Sequence, residues 1–335
     1  MAFPQDFEIE RIGEHVARVP LPLPLKDLPQ VNTYAIVGTD GVTLVDPGWK
    51  SDPSERALLA GLASLGAGMG DVRQIVVTHA HWDHYTRAVD WQQRYGIPVL
   101  LGRGERHSIE AFDLSRGPYP NQVALLRRAG ASEIAAAVDT LELEEHERDM
   151  PFGAPDRWLS GGERVDCSGL TLVAHATPGH TRGHIVYEDI VDGLLFAGDH
   201  LLPRITPSVA FEQAPEESPL TSYLASLRMF AYGPDHRMLP AHGLAGASAK
   251  DRAQELLNHH DRRLKVVYDH VVTEARTAFD IATLMRWTRH NKNLSQLGTV
   301  HAMTAVLEVR AHLEHLTHGG VLTRTGAVTE RYAPS

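Results

Sequence analysis

A single cysteine, Cys167, among 335 residues excludes a disulfide within the chain, and with it the small secreted scaffolds that cysteine pairs hold together. It lies in RVDCSGL and reads as a core or turn residue. Long apolar runs are lacking as well: none reaches the roughly 20 residues needed to cross a bilayer. The opening MAFPQDFEIE has no basic segment followed by an apolar one, so no secretory leader is expected and the cytoplasm is the default compartment. Excess positive charge is missing too, because 32 Lys and Arg stand against 42 Asp and Glu, a formal net charge of −10. Such a surface repels a phosphate polymer unless basic residues gather in one patch. The modest clusters in ERHSIE and DRRLK carry no interleaved aromatics, so nucleic acid is a disfavoured partner. A nucleophile-elbow motif is also absent.

What the chain does have is histidine in one place. THAHWDHY, Thr78 to Tyr85, puts His79, His81, Asp83 and His84 within six residues. QIVVTH before it, Gln74 to His79, predicts a buried strand. Alternate strand residues share a side, so His79 and His81 aim at one ion, while Asp83 and His84 swing to a second position as the chain turns. Imidazoles with a carboxylate suit zinc or another first-row divalent metal. Further donors follow three other apolar runs: His180 in TPGHTRGH, Asp199 in LLFAGDH and His242 in MLPAHG. Each stands where a strand ends in a turn carrying Gly or Pro, a rigid edge that frees the side chain to face a cleft. Most of the 20 histidines lie elsewhere, and those, among them His236, His260 and His312, read as surface or helix-face residues.

The order and spacing resemble the metallo-β-lactamase superfamily over about the first three quarters of the chain, with LVDPG at Asp46 as a further marker. The resemblance implies an α/β fold, an αββα sandwich with the metals at one edge between two sheets. It implies that His79, His81 and His180 bind one ion, that Asp83, His84 and His242 bind a second, and that Asp199 bridges them. It makes Asp46 a hydrogen-bonding partner and not a ligand. His184 is expected to support a ligand by hydrogen bonding or packing, and His200 either reaches substrate or packs. One departure is Thr86, where the superfamily usually has Gly.

EHVARVPL, NTYAIVG and VTLVDPG predict strands, the last two joined as a hairpin at Thr39-Asp40-Gly41. Ser51 to Leu65 predicts a helix with Ser51 or Asp52 as cap and Pro53 in its first turn, and Thr86 to Arg94 another, closed by Gly96. PVLLG returns as a strand, and GLTLVAHATPG, HIVYEDI and DGLLFAGD supply a second set. A mixed, largely helical insertion from Ala111 to Trp158 offers Tyr119, Phe152 and Trp158 as candidate pocket walls, with core packing the favoured role for any one of them. A second, LLPRITPSVAFEQAPEESP, leaves Asp199; its Arg204 reads as a surface ion pair, with an anionic substrate tail as the alternative. Residues 1–248 are expected to form the catalytic domain and 249–335 a second one. In the latter, Lys250 to Val272, Ala278 to Trp287 and Val300 to His318 predict helices, and VLTRTGAVTERY two short strands around Gly326. That set resembles the winged-helix segment of one branch of the superfamily. With Glu308 and Glu314 beside a single Arg310, the third helix suits packing or a homodimer contact bordering the active-site cleft better than DNA.

The ligand set implies a hydrolase. Two divalent ions, zinc first with iron or manganese as alternatives, lie ~3.5–4 Å apart and lower the pKa of a shared water toward ~7. The resulting hydroxide attacks a carbonyl of a small acyl substrate, and Asp83 and Asp199 are the carboxylates placed to carry a proton to the leaving group. A thioester ranks first, with ester and lactone behind it, because the winged-helix branch includes thioester hydrolases. β-Lactams are disfavoured, since the zinc β-lactamases lack the bridging Asp and are secreted. Acyl-homoserine lactones are disfavoured because His200-Leu201-Leu202 stand where a Tyr is usual. The alternatives are cleavage of single-stranded RNA by the same centre, a one-metal iron oxygenase, and a non-catalytic binding protein.

Overall fold

The computed structural model describes residues 8–209, 211–288 and 290–335, so the first seven residues, part of the segment read for a leader, lie outside it. The first sheet runs in chain order: β1 (Glu10–Arg11), β2 (Val16–Pro22), β3 (Gln30–Gly38), β4 (Gly41–Val45), β5 (Val72–Val76), β6 (Val99–Gly102) and β7 (Arg157–Leu159). It is antiparallel from β1 to β4 and parallel from β4 to β7. Parallel neighbours need crossovers. They are α1 (Asp52–Ser64), α2 (Trp82–Tyr95) and an insertion holding α3 (Arg106–Ala111), α4 (Pro120–Arg128) and α5 (Ser132–Asp139). The expected hairpin pairs Gly38 with Gly41. Ser51 caps α1 by accepting from Ser54 N at 3.3 Å, and Gly96 closes α2 in the left-handed conformation.

The second sheet contains β8 (Arg164–Cys167), β9 (Leu170–Ala176), β10 (Ile185–Asp189), β11 (Leu194–Gly198) and β12 (Arg237–Pro240), ordered β12-β11-β10-β9-β8. Only its β11–β12 pair is parallel, joined through α6 (Pro219–Ala231). Period-two alternation sends each strand's side chains to two different cores. Tyr34, Ile36 and Val45 meet Tyr187, Phe196 and Leu239 between the sheets. Val31, Ala35 and Leu44 face Leu58 and Leu62 of α1 and Ala88 of α2, while Val186, Leu195 and Ala197 face Leu224 and Leu227 of α6. The result is the expected αββα stack, each large apolar side chain contributing about 1.5–3 kcal/mol by burial. Tyr34 and Phe196 meet edge to face at 5.5 Å between the sheets, and Cys167 is buried there.

After β12 come α7 (Ala249–Val271), α8 (Ala278–Leu284), α9 (Thr299–His318) and an antiparallel hairpin of β13 (Leu322–Thr325) and β14 (Arg331–Pro334), in the expected order. α8 stops three residues short of Trp287, because Met285 turns extended and Trp287 pairs with Lys292 through the backbone. This region shares one core with the insertion: Val123, Leu126 and Val138 pack with Ile281, Met303 and Val306. Arg310 and Glu314 are buried, Arg310 bonding Glu330 at 2.8 Å, so neither contributes to a surface field. His236, His260 and His312 depart from the surface reading, for all three are buried. His260 extends the apolar stripe of Leu256 and Leu257 on α7 and meets His312 of α9 at 3.3 Å. No helix among the described residues is long and apolar enough to cross a membrane.

Candidate metal centre

β5 ends at Val76, three residues before the first histidine, and α2 begins at Trp82, four residues earlier than expected. His79 and His81 therefore stand in the loop between them and not on alternate strand positions. The cause is Asp46, which replaces the ladder: its Oδ1 accepts from Thr78 N at 2.7 Å and its Oδ2 from Thr78 Oγ1 at 2.7 Å. His81, extended at φ −68° and ψ 151°, becomes the residue before the helix, and Asp83 and His84 occupy its first turn. At Thr86 the hydroxyl donates to Trp82 O at 2.6 Å and accepts from Lys50 N at 2.9 Å, fastening that turn to the chain before α1.

The other three donors follow strand ends, as expected. His180 comes four residues after β9, Asp199 directly after β11 and His242 two residues after β12. Asn32 Nδ2 donates to the carbonyls of Pro240 and Gly243 at 2.9 and 2.8 Å, tying the His242 turn to the first sheet. Gly198 has φ +52°, and a Cβ there would lie 2.6 Å from Thr78 Oγ1 and 2.8 Å from His184 Nε2. Only glycine lets β11 deliver Asp199 this close to the histidine loop.

These seven side chains fall into two groups, His79, His81, His180 and Asp199 in one, Asp83, His84 and His242 in the other. In the first, His81 Nδ1 lies 3.0 Å from both His79 Nε2 and His180 Nε2. Asp199 faces both ways, Oδ2 at 3.6 Å from His180 Nε2 and Oδ1 at 3.4 Å from His242 Nε2. Asp83 Oδ2 is 3.4 Å from His242 Nε2 and 3.7 Å from His84 Nε2. The outward nitrogens are already engaged: Nδ1 of His84 with Asp46 at 2.9 Å, of His180 with Ser208 O at 2.7 Å and of His242 with Gln30 O at 2.8 Å. That fixes each ring's tautomer and turns Nε2 inward as a lone-pair donor. His84 Nε2, His242 Nε2 and Asp199 Oδ1 are buried without a hydrogen-bond partner. Buried polar atoms so left cost free energy unless something meets them, and N3O and N2O donor sets sharing a carboxylate fit two first-row divalent cations.

The electrostatics agree. Burial, followed by the neighbouring imidazoles, lowers His79, and burial with His180 lowers His81 to about 3, so both rings are neutral. Burial also lowers His84, but Asp83, Asp46 and Asp199 outweigh it and push that ring up to about 10. His242 is raised against its burial by Asp199 and Asp83. Protons there take the place that cations would fill. Of the flanking residues, His184 Nδ1 meets Thr177 Oγ1 at 2.9 Å and its ring stacks on His79, as expected of a supporting residue. His200 is buried against Tyr223 and Phe230, the packing position of the two roles expected for it.

A cleft opens beside His81. Tyr119 and Phe152 line it, whereas Trp158 packs on the first sheet's outer core, the role favoured for any one of the three, and Arg204 is exposed and absent from the lining. Glu105, Glu212, Trp82 and Phe211 also line it, and none of them carried a sequence signal.

The family described as the metallo-beta-lactamase superfamily matches residues 27–242. A Bacillus subtilis protein named a probable metallo-hydrolase is 27% identical over 193 residues, 57% of this chain and 71% of its own. A hydroxyacylglutathione hydrolase of Rhizobium meliloti is 25% identical over 149 residues, 44% of this chain and 40% of that enzyme. The crystal structure of a metallo-beta-lactamase family protein from Thermus thermophilus is similar over 96% of this chain and 99% of its own, with a TM-score of 0.76 and 28% identity.

Proposed function

The chain belongs to the metallo-beta-lactamase superfamily, and from that premise we propose that it is a dinuclear-metal hydrolase of a small acyl substrate, a thioester before an ester or lactone. One observation carries the reading: seven donors gather in two groups with Asp199 facing both, and His84 Nε2, His242 Nε2 and Asp199 Oδ1 are buried and unpartnered. His79, His81 and His180 would hold one divalent ion and Asp83, His84 and His242 the second, with Asp199 within reach of both; zinc suits the imidazole-rich set best. When bound, the pair supplies Lewis acidity that makes water a nucleophile at neutral pH and polarises a carbonyl.

The chain's own residues do the rest. His184 and Thr78 hold the His79 ring, Thr78 Oγ1 lying 3.0 Å from His79 Nδ1. Asp46 and the carbonyls of Ser208 and Gln30 keep three other imidazoles in the tautomer that offers Nε2. Asp83 and Asp199 are the carboxylates among the clustered donors, and we assign them the proton transfer to the leaving group. The cleft beside His81, largely apolar and with no Lys or Arg among its described lining residues, favours a carbonyl substrate over an RNA phosphodiester, as does the net charge of −10. The likeness to a hydroxyacylglutathione hydrolase supports placing thioesters first, over less than half of either chain. Residues 249–335 we assign to a winged-helix-like packing domain that supplies a homodimer contact.

The test is a substrate panel on protein loaded with zinc: acyl-CoA and acyl-N-acetylcysteamine thioesters, aryl esters, lactones and a short single-stranded RNA. Turnover of a thioester or ester, abolished in Asp199→Ala, supports the reading. Turnover of RNA alone would overturn it.

A further inference from the structure

The cleft beside His81 has a composition that the metal centre does not explain. Trp82, Ile109, Phe112, Tyr119, Phe152 and Phe211 make most of its wall. Phe112 meets Phe152 at 3.9 Å with the rings tilted, Tyr119 meets Phe211 at 5.5 Å, and Phe211 approaches the His81 ring at 6.5 Å. The apolar wall therefore begins at a candidate ligand of the first ion and runs away from it through the insertion between β6 and β7. Such a surface gains about 25 cal/mol for each Å² removed from water, so it favours an apolar occupant.

Two acids interrupt that wall. Glu105 is 0% exposed and Glu212 3% exposed. Glu105 accepts from Thr181 Oγ1 through one oxygen, while its Oε2 is buried with no partner. Glu212 accepts from Ser108 Oγ at 2.9 Å and from Arg182 N at 2.9 Å. Burial raises both carboxyls, and the proximity of Glu105 raises Glu212 further. Glu147 adds a third acid to the lining, and no Lys or Arg is among the described residues that form it. An anionic group entering here would give up its hydration in a medium of low dielectric, with no Lys or Arg in the lining to replace it.

We propose that this cleft is the acyl subsite and that it selects an uncharged, largely apolar acyl group, rejecting acyl chains that end in a carboxylate. The inference rests on the reading of the protein as an acyl hydrolase and adds the class of acyl group to it. Phe112, Tyr119, Phe152 and Phe211 set the apolar preference, and the lack of any Lys or Arg among the described lining residues sets the exclusion of anions. The β6–β7 insertion and the segment after Asp199 thereby determine specificity, since they contribute Phe112 and Tyr119 on one side and Phe211 and Glu212 on the other.

The test uses acyl-N-acetylcysteamine thioesters with acetyl, butanoyl, hexanoyl, succinyl and adipoyl groups on the zinc-loaded protein. From acetyl to hexanoyl, kcat/KM should rise severalfold per pair of methylenes, up to a limit of about fourfold per methylene from burial alone. Adipoyl should fall at least 100-fold below hexanoyl. A flat chain-length series, or an adipoyl substrate as good as hexanoyl, overturns the inference while leaving the hydrolase reading in place. If no thioester turns over, the same question is put to binding. Hexanamide and adipamic acid are titrated against metal-free protein by Trp fluorescence and calorimetry. Hexanamide binding that weakens at least tenfold in Phe211→Ala, with none for adipamic acid, supports the subsite even then. Failure of hexanamide to bind, or equal binding of the acid, contradicts it.

Discussion

Replacing Asp46 with Asn changes one atom and, by the geometry, disables the second metal site while sparing the first. The carboxylate is buried and accepts three hydrogen bonds, from Thr78 N, Thr78 Oγ1 and His84 Nδ1, at 2.7, 2.7 and 2.9 Å. An asparagine of the same shape offers one oxygen and one NH2. If its oxygen keeps the Thr78 amide, the NH2 faces Thr78 Oγ1, whose hydroxyl can rotate to accept, and His84 Nδ1, whose proton cannot. The imidazole must then move its proton to Nε2, the atom that faces Asp83 and Asp199. Loss of a hydrogen bond to a charged acceptor costs about 1.5–3 kcal/mol of stability. Loss of a residue that orients a metal-bound histidine costs about 10–100-fold in metal affinity. The assay is chelator competition on protein loaded with two equivalents of zinc, with mass spectrometry for stoichiometry. We expect one zinc to be retained as in the parent protein and the other to weaken about 10–100-fold. Long-range 15N–1H NMR should show His84 protonated at Nε2. Unchanged affinity for both ions, with the parent tautomer, would refute the reasoning.

His180→Ala should remove one ion and most turnover, because His81 Nδ1 and His79 Nε2 then have no third nitrogen; retention of two zinc ions by elemental analysis counts against the grouping. Gly198→Ala forces a side chain to φ +52° and against Thr78 and His184, which should cost about 2–4 kcal/mol; a urea midpoint equal to that of the parent rejects this. His260 and His312 lie outside the metal centre and are held neutral by burial, at about 2 and about 4. Their folded values lie below the ordinary 6.5, so the unfolded chain binds the extra protons and stability is lost as pH falls below 6.5, by about 2 kcal/mol per ring at pH 5. Urea denaturation of metal-free protein at pH 7 and 5 should show that loss, reduced when both are replaced by Leu. An equal slope in the double variant contradicts it.

The donors announced themselves because a metal needs particular atoms, and those atoms come in few residue types. His79, His81, Asp83, His84, His180, Asp199 and His242 were legible from spacing and resemblance, and they converge. How the loop carries them was not legible. Strand periodicity in QIVVTH overran the strand's end by three residues, since nothing local reveals that Asp46, 32 positions earlier, takes the amide of Thr78. The buried histidines were misjudged for a related reason. His260 looks polar in composition, and only the helix stripe with Leu256 and Leu257, packed against α6 and α9, buries it. Glu105 and Glu212 are 107 positions apart and carry no motif; a cleft assembled from two insertions has no linear signature.

The most direct measurement is an anomalous-diffraction crystal structure of the zinc-loaded protein, paired with the metal content of Asp199→Ala. Two zinc peaks about 3.5–4 Å apart, one bonded to His79, His81 and His180, the other to Asp83, His84 and His242, and both to Asp199, is the predicted result. A single zinc, or an Asp199→Ala protein that keeps two zinc ions and full turnover, would contradict the account.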